Sequence, residues 1–249
     1  MTREKFYATL SARIPATLSE EWDNDGEMCV PSPTRQVKRV LCTLDVCDEV
    51  VDKAINEGYD LILSHHPLIF RGVSALNTHD PVAKRLIRLV QNDIAVFSFH
   101  TRLDAVEGGI NDALAEMLGI TEGVSPLEGM GRIGELPSPL RFEEFVNRVK
   151  IVSDAVAVNA LCVKDTVSCV AVVGGEGKDF IDAAVAAGAD TYLSGRLGYH
   201  AMLDGEINLI ECGHYFSEKH AARLLAKMAK RIDEEIETAI FTPNLLEVY

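Results

Sequence analysis

An α/β fold of two similar lobes is what the sequence predicts, and three observations carry that expectation. Segments 37–64 and 167–194 align without a gap at a constant spacing of 130 residues. Strand-length apolar runs alternate with helix-length amphipathic stretches in both segments, the pattern of parallel strands joined by helical crossovers. Three apolar runs, Leu61–Leu63, Ile94–Phe97 and Ile207–Ile210, deliver histidine or carboxylate groups just past their C-terminal ends. That is where open α/β sheets assemble their sites.

The elements follow in order. Met1 to Leu10 lacks the apolar core of a leader and reads as an amphipathic helix. Glu21 to Gly26 is a polar turn holding the only tryptophan, and it reads as a structural turn anchored by Trp22. The first copy of the repeat then runs as strand, helix (about 47–57), Gly58-Tyr59-Asp60 turn and strand Leu61–Leu63. A helix of about 80–91 and a strand of about 94–99 follow. Gly123, Pro126, Gly129, Gly131, Gly134, Pro137 and Pro139 cluster in 122–140, which places a lobe boundary there and divides the chain into 1–125 and 126–249. Arg141 to Lys150 reads as a helix with Ser138 or Pro139 near its start.

The second copy repeats the first with a helix of about 178–187, Gly188-Ala189-Asp190 and strand Thr191–Leu193. Shared residues include Val37/Val167, Val40/Val170, Asp52/Asp182, Ala54/Ala184, Gly58/Gly188, Asp60/Asp190, Leu63/Leu193 and Ser64/Ser194. Both helices stop at a glycine, as a left-handed C-terminal cap requires. A second helix and strand follow, about 198–204 and 207–212, and Ser217 is placed to cap a last helix running to about Glu235. Internal duplication accounts for the match, with the strand ends of the two lobes converging on a cleft that holds the site.

Composition limits the function. The 249 residues are 47% hydrophobic, enough for a sizeable core, and carry a net charge of −14. Nucleic-acid binding needs clustered lysine and arginine, and no basic patch occurs. No apolar run approaches the ~20 residues of a membrane span. The six cysteines form no Cys-x-x-Cys pair and read as buried free thiols, which places the protein in the cytoplasm.

Imidazole and carboxylate together ligate zinc, iron, manganese or nickel. His65 and His66 are neighbours, so in extended backbone their side chains diverge, awkward for one ion and natural for two. Pro67 helps fix the backbone of His66. His214 and Glu218 stand four residues apart, and Glu218 in a first helical turn suits the helix dipole or bridges two ions. Asp104 ligates metal or starts a turn. His100 is a ligand or orients one. His200 and His220 fall on helical faces and His79 in a loop, where no site is expected. Gly174-Gly175-Glu176-Gly177 reads as a tight turn, with phosphate binding as the weaker option.

These residues resemble a known family. Trp22 to Gly26, Ser64-His65-His66-Pro67-Leu68-Ile69-Phe70, His100 to Asp104, Gly108 to Asp112, Gly188 to Asp190 and Gly213 to Glu218 look like the dinuclear-metal-centre hexameric proteins. These are the NGG-one-interacting-factor-three family, often labelled GTP cyclohydrolase 1 type 2 homologues. The match runs in order over nearly the whole chain, in the short form without an inserted domain. The resemblance implies a ring-shaped homohexamer and two divalent ions per subunit. It places one ion on His66, Asp104 and Glu218, and the other on His65, His214 and Glu218. Two departures stand out. Arg102 replaces the family's usual asparagine, and Arg196 stands where an acidic residue is common. If both line the cleft they favour an anionic small-molecule substrate; otherwise they form surface salt bridges.

Two divalent ions sharing a carboxylate hold a water between them and lower its pKa toward neutral. Hydrolysis is therefore the expected chemistry, either purine-ring opening as the family label implies or phosphoester cleavage, with His100 as the proton donor. The alternatives are a non-catalytic metal-holding ring that binds protein partners, and a single-ion amidohydrolase with His66 and Asp104 as ligands.

Overall fold

The computed structural model describes residues 1–245, which form two units of mixed α/β structure, each built on its own sheet. The first unit opens on α1 (Arg3–Ser11), where Thr2 accepts the Lys5 N–H and the buried Arg3, Phe6 and Leu10 share one face. It continues through β1 (Gly26–Cys29), β2 (Arg39–Thr43), α2 (Asp48–Asn56), β3 (Leu61–Ser64), α3 (Pro81–Gln91), β4 (Ala95–Ser98) and the short α4 (Thr101–Ala105). Asp80 caps α3 by accepting the Ala83 N–H at 2.8 Å, with Pro81 at the first helical position.

The second unit contains α5 (Ile110–Leu118), β5 (Glu122–Leu127), β6 (Gly131–Arg141), α6 (Phe142–Ser153), β7 (Asn159–Leu161) and β8 (Thr166–Glu176). It ends with α7 (Ile181–Ala186), β9 (Thr191–Arg196), α8 (Tyr199–Leu203), β10 (Asn208–Glu211) and α9 (His214–Glu218). From Lys219 the chain returns to the first unit as α10 (Ala221–Ile232) and β11 (Glu237–Ile240).

The first sheet has the order β1-β4-β3-β2-β11, with β11, β2, β3 and β4 parallel and β1 antiparallel at the edge. The second has the order β5-β6-β8-β9-β10-β7, parallel through β8, β9 and β10. β3 and β4 are buried along their whole lengths, as expected of parallel strands covered on both faces.

The repeat seen in sequence recurs as hydrogen bonding inside each unit. Asp60 Oδ2 accepts the Lys38 and Arg39 backbone N–H groups, both at 3.0 Å. Asp190 Oδ2 accepts those of Ser168 and Cys169 at 2.9 and 3.1 Å. Gly58 and Gly188 both take positive φ, +69° and +85°, where their helices end.

Several sequence expectations change. The compact units divide at Val106/Glu107, not at 125/126, and the chain from Lys219 rejoins the first unit. The reason is pairing and burial: β11 lies parallel to β2, and α10 buries Ala222, Leu225 and Ala229. The Gly- and Pro-rich 122–140 segment is the β5–β6 pair at the edge of the second sheet. α6 starts at Phe142 behind Arg141, and Ser138 and Pro139 belong to β6. The expected helix from Ser217 to Glu235 is two helices, so Glu218 closes α9 and does not sit in a first turn.

All six cysteines are free thiols. Cys29, Cys42, Cys47 and Cys212 are buried, Cys169 is half-buried and Cys162 exposed. Burial pushes the Cys212 thiol up to about 12, leaving it inert. Among the described residues, no helix is long and apolar enough to cross a membrane.

Candidate metal centre

In the first unit the site grows from the C-terminal ends of β2, β3 and β4, which lie side by side. Just past β3, the His65 N–H donates to Thr43 O at 3.3 Å and the His66 N–H to Leu44 O at 2.9 Å, so the backbone keeps following β2. The Ser64 hydroxyl donates to His66 O at 2.9 Å and holds the two histidines in a fixed bend. Past β4, the His100 N–H donates to Asp25 Oδ2 at 3.2 Å.

Each of the three imidazoles is anchored through Nδ1. His65 donates to Phe99 O at 2.9 Å, His66 to Asp45 Oδ1 at 2.7 Å and His100 to Asp23 Oδ1 at 2.8 Å. With Nδ1 carrying the proton, Nε2 is the basic nitrogen, the tautomer that ligates metal. The rings lie close, with centroids 4.9 Å apart for His65 and His66, 5.2 Å for His65 and His100, and 5.7 Å for His66 and His100. One nitrogen from each falls within 4.8 Å of the others, in a group that could hold an ion. His65 and His66 therefore do not diverge as extended backbone would make them. The chain bends at their position. Asp104, on α4, places Oδ1 3.7 Å from His65 Nε2, beyond hydrogen-bond length.

Asp23 keeps His100 in place. Burial pushes its carboxyl up, but hydrogen bonds from His100 and Thr101 outweigh that and bring it down to about 2. The turn containing it is thus anchored by carboxylates. Trp22, expected to be the anchor, is exposed.

In the second unit, His214 and Glu218 stand at the two ends of α9 with Nε2 and Oε2 2.9 Å apart. Glu218 is buried and His214 exposed. Ser217 clips this helix to β8, its hydroxyl donating to His214 O at 2.8 Å and accepting the Gly175 N–H at 3.0 Å. The Gly174 N–H donates to Asn111 Oδ1 at 2.8 Å. Both glycine amides are thus engaged inside the fold, and residues 174–176 are the end of β8, neither the expected tight turn nor a phosphate loop. The φ of +66° favours glycine at 175, and a Cβ there would meet the Glu218 carboxylate, which would have to shift.

The expected arginines part ways. Arg102 is fully buried and its guanidinium is engaged by Asp25 at 2.8 Å, Ile14 O at 3.2 Å and the Phe99 ring at 4.4 Å. It braces the first unit and is not a substrate contact. Arg196 is exposed at the end of β9. His79 and His200 are exposed, and His220 stands at the N-terminus of α10. Asp45 escaped the sequence reading because no histidine marks the end of β2, although the strand-end rule that found His65 and His100 applies there too.

The donor set, imidazole nitrogen with carboxylate oxygen, fits a first-row divalent ion. Glycine at 175 leaves room for the Glu218 carboxylate.

Comparison with known proteins agrees with these features. The Duf34/NIF3 (NGG1p interacting factor 3) family profile matches residues 1–244. A GTP cyclohydrolase 1 type 2 homolog of Clostridium perfringens is 34% identical over 238 residues, 90% of this chain and 89% of its own. Another, of Streptococcus pneumoniae, is 36% identical over 230 residues, 86% of each chain. The crystal structure of a hypothetical protein of Staphylococcus aureus superposes with a TM-score of 0.88 at 25% identity, covering 98% of this chain and 97% of that one.

Proposed function

The chain belongs to the Duf34/NIF3 family, and from that premise we propose that it is a metal-dependent hydrolase. We assign His65, His66, Asp104, His214 and Glu218 as ligands of two divalent ions, with Glu218 shared. One observation carries the reading. Three imidazoles are each fixed through Nδ1 to a different acceptor, and one nitrogen from each lies within 4.8 Å of the others. A surface cluster of histidines has no reason to be anchored so uniformly.

When bound, such a pair supplies Lewis acidity and a water acidic enough to attack as hydroxide near neutral pH. The chain's own residues do the rest. His65 and His66 present Nε2 at fixed angles, because Phe99 O and Asp45 hold the opposite nitrogens. His100 delivers a proton from Nε2 to the leaving group, and the Asp23 carboxylate stabilises the imidazolium at Nδ1. The relatives' name points to opening of a purine ring, and phosphoester cleavage uses the same groups. Arg196 is assigned to an anionic substrate. A homohexamer in the cytoplasm is the assembly we expect by family resemblance.

The test is elemental analysis of the purified protein, followed by a substrate panel with manganese, zinc or iron added. We expect close to two ions per chain, and turnover that His65→Ala abolishes. Tight metal without turnover across the panel moves the assignment to a non-catalytic metal-holding assembly. One ion per chain favours the single-ion amidohydrolase.

A further inference from the structure

Trp22 is the only tryptophan in the chain and is 62% exposed, and Phe70 is 48% exposed. Large rings left in water usually belong to segments that little holds. Here the opposite is true. Asp23 accepts the Thr101 N–H at 3.1 Å and the Thr101 hydroxyl at 2.7 Å in addition to His100. Asp25 accepts the His100 N–H and Arg102 Nε. Asn24 Nδ2 donates to Ile69 O, tying the Trp22 turn to the loop that carries Phe70. A turn this firmly bonded buries neither ring.

The result is a fixed corner. Trp22 and Phe70 stand 6.2 Å apart with their planes at 67°. Both meet the edge or face of His100, at 6.2 and 6.3 Å between centroids. His100 in turn lies 5.2 Å from His65 and 5.7 Å from His66. The aromatic corner is therefore continuous with the imidazole cluster.

We infer that Trp22 and Phe70 form a stacking platform for a planar nitrogen heterocycle, the flat part of the substrate whose reacting group meets the imidazole cluster. This rests on the hydrolase reading of those histidines. Stacking accepts any aromatic face, so the platform selects flatness while the polar groups select what is attached. A second copy of the chain is the rival occupant, and charge argues against it. Glu20 and Glu21 are exposed beside Trp22, in a chain of net charge −14. Like charges facing each other are unfavourable, and charged residues are depleted at the core of protein interfaces.

Because Trp22 is the sole tryptophan, its emission reports on the platform directly. The protein with its metal is titrated with guanosine, and separately with ribose 5-phosphate as a probe that lacks the ring. We expect saturable quenching by guanosine and none by ribose 5-phosphate. Phe70→Ala should weaken guanosine binding about tenfold, with metal content as in the wild type. No quenching by guanosine overturns the platform. Emission that changes only when the protein itself is diluted overturns it too, and marks the corner as a contact between copies. Metal content and turnover are read independently of quenching. A wild-type chain without metal ends the hydrolase reading and leaves guanosine quenching to decide the platform.

Discussion

Asp45 Oδ1 lies 2.7 Å from His66 Nδ1, and this one contact fixes both the tautomer and the orientation of the ring. His66 is only half-buried, so packing alone does not hold it. A carboxylate behind a ligating imidazole also raises the basicity of the ligand nitrogen. Asp45→Ala should lower metal affinity by about 10- to 100-fold, measured by competition with a chelator. Asp45→Asn keeps an acceptor oxygen without the charge and should fall between the two. Unchanged affinity in Asp45→Ala would remove His66 from the ligand set.

Glu218 and Gly175 should fail together. Glu218→Ala removes the proposed shared ligand and should lose metal and hydrolysis at once; full metal occupancy in that variant refutes sharing. Gly175→Ala leaves every ligand in the sequence but sets a methyl group against the Glu218 carboxylate, at a residue with φ of +66°. It should cost about 1 kcal/mol or more in stability and reduce metal content. Normal metal content in a folded Gly175→Ala protein would show that the carboxylate does not need its present position.

Much of this arrangement was legible in the sequence, for physical reasons that also explain what was not. The parallel strands could be read because burial on both faces makes them short continuous apolar runs, and their ends pointed to His65, His66, Asp104 and His214. β5 and β6 could not, because Gly123, Pro126, Pro137 and Pro139 signal breaks, while the edge strand β5 tolerates Pro126 and the register shift of β6 between Glu135 and Leu140 takes in Pro137 and Pro139. Asp23 was visible only as part of a polar turn, since its partner His100 lies 77 residues away. Arg102 was misplaced for a related reason. Its neighbours Asp25 and Tyr7 come from distant parts of the chain, and nothing in a local pattern marks an arginine as buried.

Acid should loosen the first unit through Asp93. Desolvation pushes its carboxyl up, but hydrogen bonds from the buried Arg3 and from Arg35 prevail and hold it at about 2, against an ordinary 3.8. A carboxyl lowered by folding stabilises above its unfolded pKa, and that stability is lost as pH falls through 3.8 toward 2. Asp93 is about one-third exposed, so solvent discounts the linkage and we expect about 1 kcal/mol. Thermal melts should show the wild type losing stability over this window more steeply than Asp93→Asn. Parallel pH profiles for the two proteins would sink the assignment.

The matched carboxylates Asp60 and Asp190 give the last prediction. Each accepts two consecutive backbone N–H groups at the start of the neighbouring strand, Lys38 and Arg39 in one unit and Ser168 and Cys169 in the other. Each also holds one further partner on Oδ1, Arg35 at 3.2 Å and Thr191 at 2.8 Å respectively. The carboxylate sets where β2 meets β3, and where β8 meets β9, so register depends on it in both units. Removing it strands two amides that water must reach. Asp60→Ala and Asp190→Ala should therefore each cost about 2–4 kcal/mol, below the full worth of two bonds to a charged acceptor at about 1.5–3 kcal/mol apiece because water reaches the freed amides. Urea unfolding of the two variants measures this. Similar losses would show that both units depend on the device, whereas a neutral Asp190→Ala beside a costly Asp60→Ala would show that only one does.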